Sequence, residues 1–439
     1  MMTTFEERRG AFARAIGDGA AVIVAARHAV RNADTEYEYR QNSDFYYLTG
    51  FTEPEAVLVL APQNDKEPSV LFLRKRDPAA EIWTGRRLGV ENAAAQIGVS
   101  AAYPIEELVT RLPDLLVGAP ALYYHLGLDA ETDRTTIAAV KGAQHKVRRG
   151  GTAPRSIIEP GTVLHEMRLR KSAAEIALMR RAAAAARAGH EAGMRATRPG
   201  MWEYELEAII EYQFSAAGAQ DVAYPSIVAG GANATVLHYN TNRERLRDGD
   251  LVLVDSGAEV DLYASDVTRT WPVNGRFTPE QRAIYEIVLR SQRAGIDAVR
   301  PGRPVDEYHR TAVRVLTEGL VDIGLLSGTI DELIEKEAFS AFYPHRTGHY
   351  LGIDVHDVGR YTEDKTTFRK LEPGFVLTVE PGLYVQPDAD VADRWKGIGV
   401  RIEDDILCTS SEPDNLTAAI PKDVETLEAL VGSDVLVRS

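Results

Sequence analysis

Cysteine is almost absent from this sequence, with Cys408 as its single example among 439 residues. One cysteine cannot form an internal disulfide, which excludes a disulfide-stapled secreted scaffold and favours a reducing compartment. No apolar stretch reaches the roughly 20 residues of a membrane span. The N-terminus has a charged run at residues 6–9 before an Ala-rich segment and lacks the layout of a secretory signal. We therefore expect a cytoplasmic protein without a membrane partner.

Positive charge is also scarce, since 50 lysines and arginines stand against 65 acidic residues and leave a net charge of -15. That balance argues against nucleic acid as a partner. The sequence has no GxGxxG, P-loop or nucleophile-elbow pattern, which disfavours nucleotide binding and a serine hydrolase. Composition is otherwise that of a soluble globular protein, and the length predicts two domains.

Residues 1–165 are predicted to form an N-terminal α/β domain. Ala20–Ala26, Val57–Ala61 and Val70–Phe72 have the composition of short strands, and Glu106–Leu116 that of a helix. Short strands alternating with helices are typical of a small α/β fold. A Gly- and Pro-bearing stretch at residues 149–160 marks the junction to a second domain, residues 172–439.

The second domain begins with a helix signal. Ser172 stands three residues before Glu175, the spacing of a capping box, ahead of an Ala-rich run. Trp202–Ala217 has an apolar side typical of an amphipathic helix, and Gly218 is placed to end it. The sequence predicts three further helices, at Pro279–Val299, Val305–Ile323 and Ile330–Phe339.

A weak internal repeat runs through this domain. Residues 249–257 read glycine, five residues, a carboxylate, one residue, glycine, and residues 374–382 have the same order. The carboxylates are Asp255 and Glu380, and each is followed by a second acid on a later strand, Asp266 and Glu403. Two similar halves that each offer two carboxylates from strand ends predict a metal pocket on a pseudo-twofold axis.

Two of these acids, Asp255 and Glu403, have a simpler interpretation when taken alone, whereas Glu380 is harder to dismiss. Asp255 before Ser-Gly is typical of a turn, and the eleven residues to Asp266 require a turn to bring the two together. Glu380 ends an apolar strand, where an unpaired acid is disfavoured. Glu403 alternates with Arg401 and Asp405, which could equally form a surface ladder of ion pairs.

A cluster of histidines favours a functional site. His345, His349 and His356 account for three of the ten histidines within twelve positions and are interleaved with glycines. A single histidine is more often structural than a ligand, but this clustering shifts the balance. Four carboxylates and one imidazole brought together would repel strongly without cations, and such ligands suit divalent manganese, cobalt or zinc. The candidate ligands are Asp255, Asp266, His349, Glu380 and Glu403.

Several segments resemble a known family. VDSGAEVDLYASDVTRTWPV, HRTGHYLGIDVHDVG, LTVEPGLYV and GVRIEDDI are similar, in this order, to the motifs of the pita-bread metallopeptidases: methionine aminopeptidases, prolidases and aminopeptidase P. The N-terminal segments YRQNSDFYYLTGFTEPEAVLVL and IWTGRRLG resemble bacterial aminopeptidase P. The resemblance implies an α+β chain, an α/β domain followed by a pita-bread catalytic domain, with Xaa-Pro aminopeptidase activity.

The resemblance also implies roles for individual residues. Asp255 would chelate one of two ions, most simply Mn²⁺, Asp266 and Glu403 would bridge both, and His349 and Glu380 would complete the second. Glu380 would shuttle a proton, because it lies near the attacking water. Further roles fall on six residues: oxyanion donors His238 and His356, the proline-pocket residue His345, the supporting residues Arg401 and Tyr384, and Trp83 of the N-terminal domain.

Two questions stay open at this point. Trp83 could close the active site of a neighbouring subunit in a dimer or tetramer, or could be a half-buried residue. The alternative activity is that of a prolidase, which accepts only Xaa-Pro dipeptides and must bind their free carboxylate. The loop between His356 and Glu372 is short, which favours aminopeptidase P, but it carries Arg360, Lys365, Arg369 and Lys370.

Overall fold

The chain divides into two units, Met1–Met167 and Arg168–Ser439, in a computed structural model that describes residues 4–434. In the first unit the helices are α1 Thr4–Ile16, α2 Ser43–Thr49, α3 Pro78–Thr84, α4 Val90–Ile97, α5 Leu108–Leu115 and α6 Ala130–Lys146. Its strands are β1 Ala20–Val24, β2 Val30–Asn32, β3 Thr35–Glu36, β4 Val57–Leu60, β5 Ser69–Leu73, β6 Ala101–Pro104, β7 Leu122–Tyr124 and β8 Ile157–Ile158.

A mixed six-stranded sheet in the order β6-β5-β4-β1-β7-β8 organises the first unit. Strand β4 runs antiparallel to β1 and β5, while the outer pairs are parallel. Both β1 and β4 are buried along their whole length, as continuous apolar runs require. The three predicted strands are confirmed. The helix predicted at Glu106–Leu116 begins with a 3₁₀ turn at Ile105–Glu107 and continues as α5.

Helix α7 Gly161–Leu169 lies mostly in the first unit and crosses the unit boundary after Met167. The described residues of the second unit contain six further α-helices: α8 Ala173–Ala196, α9 Glu203–Ala216, α10 Pro279–Ala298, α11 Glu307–Asp322, α12 Ile330–Glu335 and α13 Val424–Leu430. The strands are β9 Asp221–Val222, β10 Ile227–Gly230, β11 Leu251–Asp255, β12 Ala258–Val260, β13 Tyr263–Ala264, β14 Thr268–Pro272, β15 Val376–Val379, β16 Gly382–Tyr384, β17 Gly399–Arg401, β18 Asp404–Leu407 and β19 Asp414–Asn415.

Each half of this unit is a helix pair followed by antiparallel strands. Helix α8 packs along α9 and α10 packs along α11. Strand β11 pairs with β10 and β14 in the first half, and β15 pairs with β18 in the second. Strands β10, β11 and β14 lie against an apolar core that includes the fully buried Trp271 and Tyr285, and β15 and β18 belong to a second apolar cluster that includes Phe375. The arrangement places the ends of β11 and β15 at the same site.

Glycine explains why the repeat keeps its pattern. Gly249 and Gly374 precede β11 and β15 with φ values of +86° and +96°, which L-residues rarely adopt. Beyond each acid, a side chain on Gly257 would overlap the Ser265 carbonyl oxygen, and one on Gly382 would overlap the Tyr384 hydroxyl. Both halves therefore need glycine on either side of the strand that carries the acid.

Most predicted helices of the second unit are confirmed, with corrected ends. The capping box at Ser172 is present: its hydroxyl accepts the Glu175 N–H and the Glu175 carboxylate accepts the Ser172 N–H. The prediction that a helix extends to Phe339 is wrong, because Glu337 adopts φ +51° after α12 ends at Glu335. Among the helices in residues 4–434, none has an apolar segment that could cross a bilayer.

Candidate active site

The two halves each deliver a carboxylate at a strand end. Asp255 is the last residue of β11, and Glu380 directly follows β15. Asp266 returns to the same place because β12 and β13 form a tight hairpin, in which Asp261 and Leu262 have positive φ. The predicted turn between Asp255 and Asp266 is therefore confirmed.

All five predicted ligands line the same cavity. His349 Nε2 is 3.3 Å from Asp266 Oδ2 and 3.7 Å from Glu380 Oε1. Ligand atoms of Asp266, His349 and Glu403 all lie within 4.8 Å of one another, so these three form a group able to hold a metal ion. Asp255 joins them through Tyr224 and faces the same cavity of about 810 Å³.

Tyr224 shows that the centre, the cluster of predicted ligands, needs positive charge. Its hydroxyl lies 2.6 Å from Asp255 Oδ1 and 2.5 Å from Asp266 Oδ1. A hydroxyl carries one hydrogen and an ionised carboxylate only accepts, so the phenol can donate to just one of the two acids. Burial and the two aspartates raise the pKa of Tyr224 well above its ordinary value, and it keeps that single proton. The second contact requires a proton or another cation at the centre.

The pKa values indicate the same excess of negative charge. Burial raises the pKa of Glu403 well above its ordinary value, and Asp266, Glu380 and Asp255 raise it further. Burial likewise raises the pKa of Glu380 to about 7. Burial lowers the pKa of His349, but the carboxylates of Asp266 and Glu380 outweigh it and raise the value to about 9. The raised pKa values mean that these groups retain protons, and those protons offset the negative charge that a divalent cation would otherwise neutralise.

The His349 ring has the orientation of a ligand. Its Nδ1 lies 3.0 Å from the Tyr350 carbonyl oxygen, to which it donates. Nε2 then faces the carboxylates of Asp266 and Glu380. The site combines carboxylate oxygens with one imidazole whose Nδ1 is hydrogen-bonded, and the charges of its buried acids are not compensated. This combination fits divalent metal ions.

Buried polar side chains hold the ligating carboxylates in place. Arg401, 3% exposed, donates through Nη2 to Asp255 Oδ2 at 2.7 Å and through Nε to Thr268 Oγ1 at 3.1 Å. The Thr268 hydroxyl donates to Glu403 Oε2 at 2.6 Å. The alternative of a surface ladder at residues 401–405 is wrong, because Arg401, Glu403 and Asp405 are all buried.

His345, which was predicted to line a proline pocket, lies in the same cavity as the predicted ligands. The Tyr384 hydroxyl is 2.8 Å from His345 Nε2 and accepts from Arg401 Nη1 at 3.0 Å. Burial lowers the pKa of His345 to about 3, so this ring is neutral and accepts the phenol proton. The His349 and His356 rings meet edge to face at 4.3 Å between centroids. His238 and His356 both line the cavity.

Trp83 is elsewhere in the chain. It lies on α3 of the first unit and is 87% exposed, so the half-buried interpretation is wrong.

The described loop cations Arg360, Lys365 and Lys370 do not line the cavity, whereas Arg346, which no sequence pattern singled out, does. Tyr224 and Thr268 also escaped prediction, because neither stands in a pattern that marks a ligand's partner.

A family model for metallopeptidase family M24 matches residues 177–410, and one for the N-terminal domain of aminopeptidase P matches residues 5–123. The chain belongs to metallopeptidase family M24. Within that family it is 48% identical to the Xaa-Pro aminopeptidase of Escherichia coli (strain K12), over 97% of each sequence.

Solved structures agree with this assignment. The Pseudomonas aeruginosa aminopeptidase PepP superposes with a TM-score of 0.95 at 47% identity, covering 99% of this chain and 98% of that one. A variant of Escherichia coli aminopeptidase P in complex with substrate superposes with a TM-score of 0.94 at 46% identity, covering 99% of both chains. The predicted family, two-part α/β and pita-bread fold, and metallo-aminopeptidase class are confirmed.

Proposed function

We propose that this chain removes the N-terminal residue from peptides that have proline in second position, with two divalent ions held by Asp255, Asp266, His349, Glu380 and Glu403. The observation that carries the proposal is the meeting of those five side chains, with His349 Nε2 3.3 Å from Asp266 Oδ2. The likeness to Xaa-Pro aminopeptidases over nearly the whole chain supports the choice of substrate.

The chemistry is hydrolysis of the bond before proline. Bound divalent ions supply Lewis acidity, which lowers the pKa of water and polarises the carbonyl. Asp255, Asp266 and Glu403 would hold these ions together with His349 and Glu380. Glu380, beside His349 on the cavity wall, accepts a proton from the attacking water and passes it to the proline nitrogen. His238 and His356, which face the cavity, donate hydrogen bonds to the developing oxyanion.

The pocket accounts for the choice of proline. The bond before proline has no N–H, so a site for it needs no acceptor at that position. His345 and Tyr384 instead offer ring surfaces, and their hydrogen bond fixes both rings. Arg401 orients the Asp255 carboxylate. The free amine of the substrate binds beside the acidic wall, which restricts cleavage to the first peptide bond.

Three finer points belong to the same proposal. Manganese is the preferred metal, with cobalt and zinc as alternatives, because the ligands are mostly carboxylates. The protein acts in the cytoplasm, where a chain with one cysteine fits a reducing environment. It forms a dimer or tetramer, which would cover Ile82 and Trp83, 81% and 87% exposed on α3. In such an assembly Trp83 would close a neighbouring subunit's active site.

Peptide length tests the proposal. We expect kcat/KM for an Xaa-Pro-Xaa tripeptide to exceed that for the matching Xaa-Pro dipeptide. The second candidate is a prolidase, and it is favoured by Arg346, which lines the cavity and could bind a free proline carboxylate. Strong preference for the dipeptide, lost in Arg346→Gln, would establish the prolidase instead.

A further inference from the structure

Glu203 is a fully buried carboxylate that has no part in the chemistry above. It is the first residue of α9 and is 0% exposed. Burying a carboxylate costs several kcal/mol unless hydrogen bonds replace its lost hydration. Its partners therefore indicate what the burial achieves.

Both oxygens of Glu203 accept hydrogen bonds from the segment 230–244. Oε1 accepts from the Gly230 N–H at 2.9 Å and from Asn233 Nδ2 at 3.0 Å. Oε2 accepts from the Tyr239 hydroxyl and the Glu244 N–H, both at 2.8 Å. One carboxylate thus ties together both ends of the segment as well as a residue near its middle.

That segment carries part of the active-site wall. Leu237, His238 and Asn240 lie between the two ends and line the cavity with the ligands. Apart from its ends, the segment contains only a short 3₁₀ helix at Gly231–Thr235 among the described residues. It therefore has little regular hydrogen bonding of its own to fix where His238 stands.

A second anchor holds the far side of the segment. Asn242 adopts φ +49° and is buried, its Oδ1 accepting the Val228 N–H at 3.0 Å and its Nδ2 donating to the Ser226 carbonyl at 2.8 Å. Those bonds reach the residue before β10 and one residue within it. Gln386 bonds Thr235, and Arg401 Nη2 donates to the Leu237 carbonyl oxygen at 3.5 Å. Among the described hydrogen bonds of side chains, those of Glu203 reach both ends of the segment.

We propose that Glu203 is a positioning residue, which acts on the proposed peptidase reaction by holding the segment 230–244 so that His238 faces the reacting carbonyl. The inference rests on the proposed function of His238 as an oxyanion donor. Displacing a donor by about 1 Å can cost on the order of 100-fold in rate. A loss of this kind falls on the transition state, so it lowers kcat and leaves KM unchanged.

A double-mutant cycle tests the proposal. Glu203→Gln keeps the shape but turns one oxygen into an N–H₂ that faces other donors. We expect kcat to fall about 10- to 100-fold with KM, bound metal and circular dichroism unchanged. In the His238→Ala background the same substitution should change kcat less than about twofold, since the residue through which it acts is gone. An equal loss in both backgrounds would overturn the proposal.

Two further variants complete the design. Glu205→Gln makes the same chemical change two residues along α9, at an exposed site, and should leave kcat as it is. Tyr239→Phe removes one of the four hydrogen bonds and decides the matter where Glu203→Gln does not fold. The fall in kcat for Tyr239→Phe should be smaller, and it should also vanish in the His238→Ala background. A fall that persists in that background refutes the proposal. Turnover of an Xaa-Pro-Xaa peptide by the unaltered chain checks the proposed function separately.

Discussion

Two roles are proposed for the carboxylate of Glu380, as a metal ligand and as a proton carrier. Its Oε1 lies 3.7 Å from His349 Nε2, and the residue lines the cavity. Its backbone is held by a hydrogen bond from its N–H to the Thr347 carbonyl at 2.8 Å. Because its backbone is fixed independently, a change of its side-chain charge should affect chemistry far more than folding.

We predict that Glu380→Gln folds normally and loses nearly all turnover, by about 100-fold or more in kcat, because an amide cannot carry the proton to the leaving nitrogen. Steady-state kinetics on a tripeptide, with circular dichroism for the fold, measures both. Glu335→Gln, at an exposed position on α12, is the matched control. Activity within a factor of about two of the unaltered chain would remove Glu380 from the proton-transfer role.

At this scale the sequence predicts the ligands but not their partners. Asp255 and Glu380 are recognisable because an acid that ends an apolar strand is unusual and because it recurs in the repeat. Tyr224 and Thr268 have ordinary neighbours in sequence, and Thr268 meets Glu403 from 135 positions away. Glu203 was equally invisible, since an acid in the first turn of a helix is common. Such contacts depend on the whole fold.

Among the elements, the start of the second unit is tied to the loop that carries His356. Arg168 Nη2 lies 2.6 Å from Asp357 Oδ1, and Lys171 Nζ lies 2.8 Å from Asp357 Oδ2. All three side chains are nearly inaccessible, at 3% exposure or less. Burial alone would raise the pKa of Asp357, but Lys171 and Arg168 lower that pKa below its ordinary value. The ion cluster thus joins α7 to the active-site loop.

Stability should follow the ionisation of Asp357. Its pKa is lower in the folded state than the unfolded value of about 3.9, so the stabilisation is complete above that pH and is lost as pH falls through the folded pKa. We predict that Asp357→Asn lowers the free energy of unfolding at pH 7 by about 3–5 kcal/mol, because the buried Lys171 ammonium loses the carboxylate that faces it, while Arg168 keeps Asp354. The difference should shrink below about pH 4.

Denaturant unfolding between pH 3 and pH 7 measures this effect. Asp322→Asn, exposed at the end of α11, should stay within about 0.5 kcal/mol of the unaltered chain. A difference for Asp357→Asn that is small at pH 7, or constant down to pH 3, would contradict the prediction.

The helices and strands were largely predictable because their signals are local. The capping box at Ser172 and the apolar runs of β1 and β4 depend on neighbours a few residues apart. The end of α12 was not predictable, because nothing in the sequence requires Glu337 to take a left-handed conformation. How the strands of the second unit pair was indicated only through the repeat and the family resemblance.

For the whole molecule, the four acids of the centre come from both halves of the second unit. Asp255 and Asp266 belong to the first half, and Glu380 and Glu403 to the second. Their mutual repulsion opposes folding whenever cations are absent. Metal should therefore affect stability as well as activity.

We predict that dialysis against a chelator abolishes turnover and lowers Tm, and that Mn²⁺ restores both. At 100 times its Kd, a single bound ion stabilises the folded state by about 2.7 kcal/mol. Calorimetry with added Mn²⁺, Co²⁺ and Zn²⁺ ranks the metals, and Asp266→Asn serves as the control that should lose the shift. A rate unaffected by the chelator would contradict metal dependence.

The pseudo-twofold division has a kinetic consequence. Ions held by ligands from both halves would act as cross-links, and the halves could not separate until those ions had left. The lifetime of the enzyme on heating would then be governed by ion exchange, and trace free manganese would slow irreversible inactivation far more than any change in the apolar core.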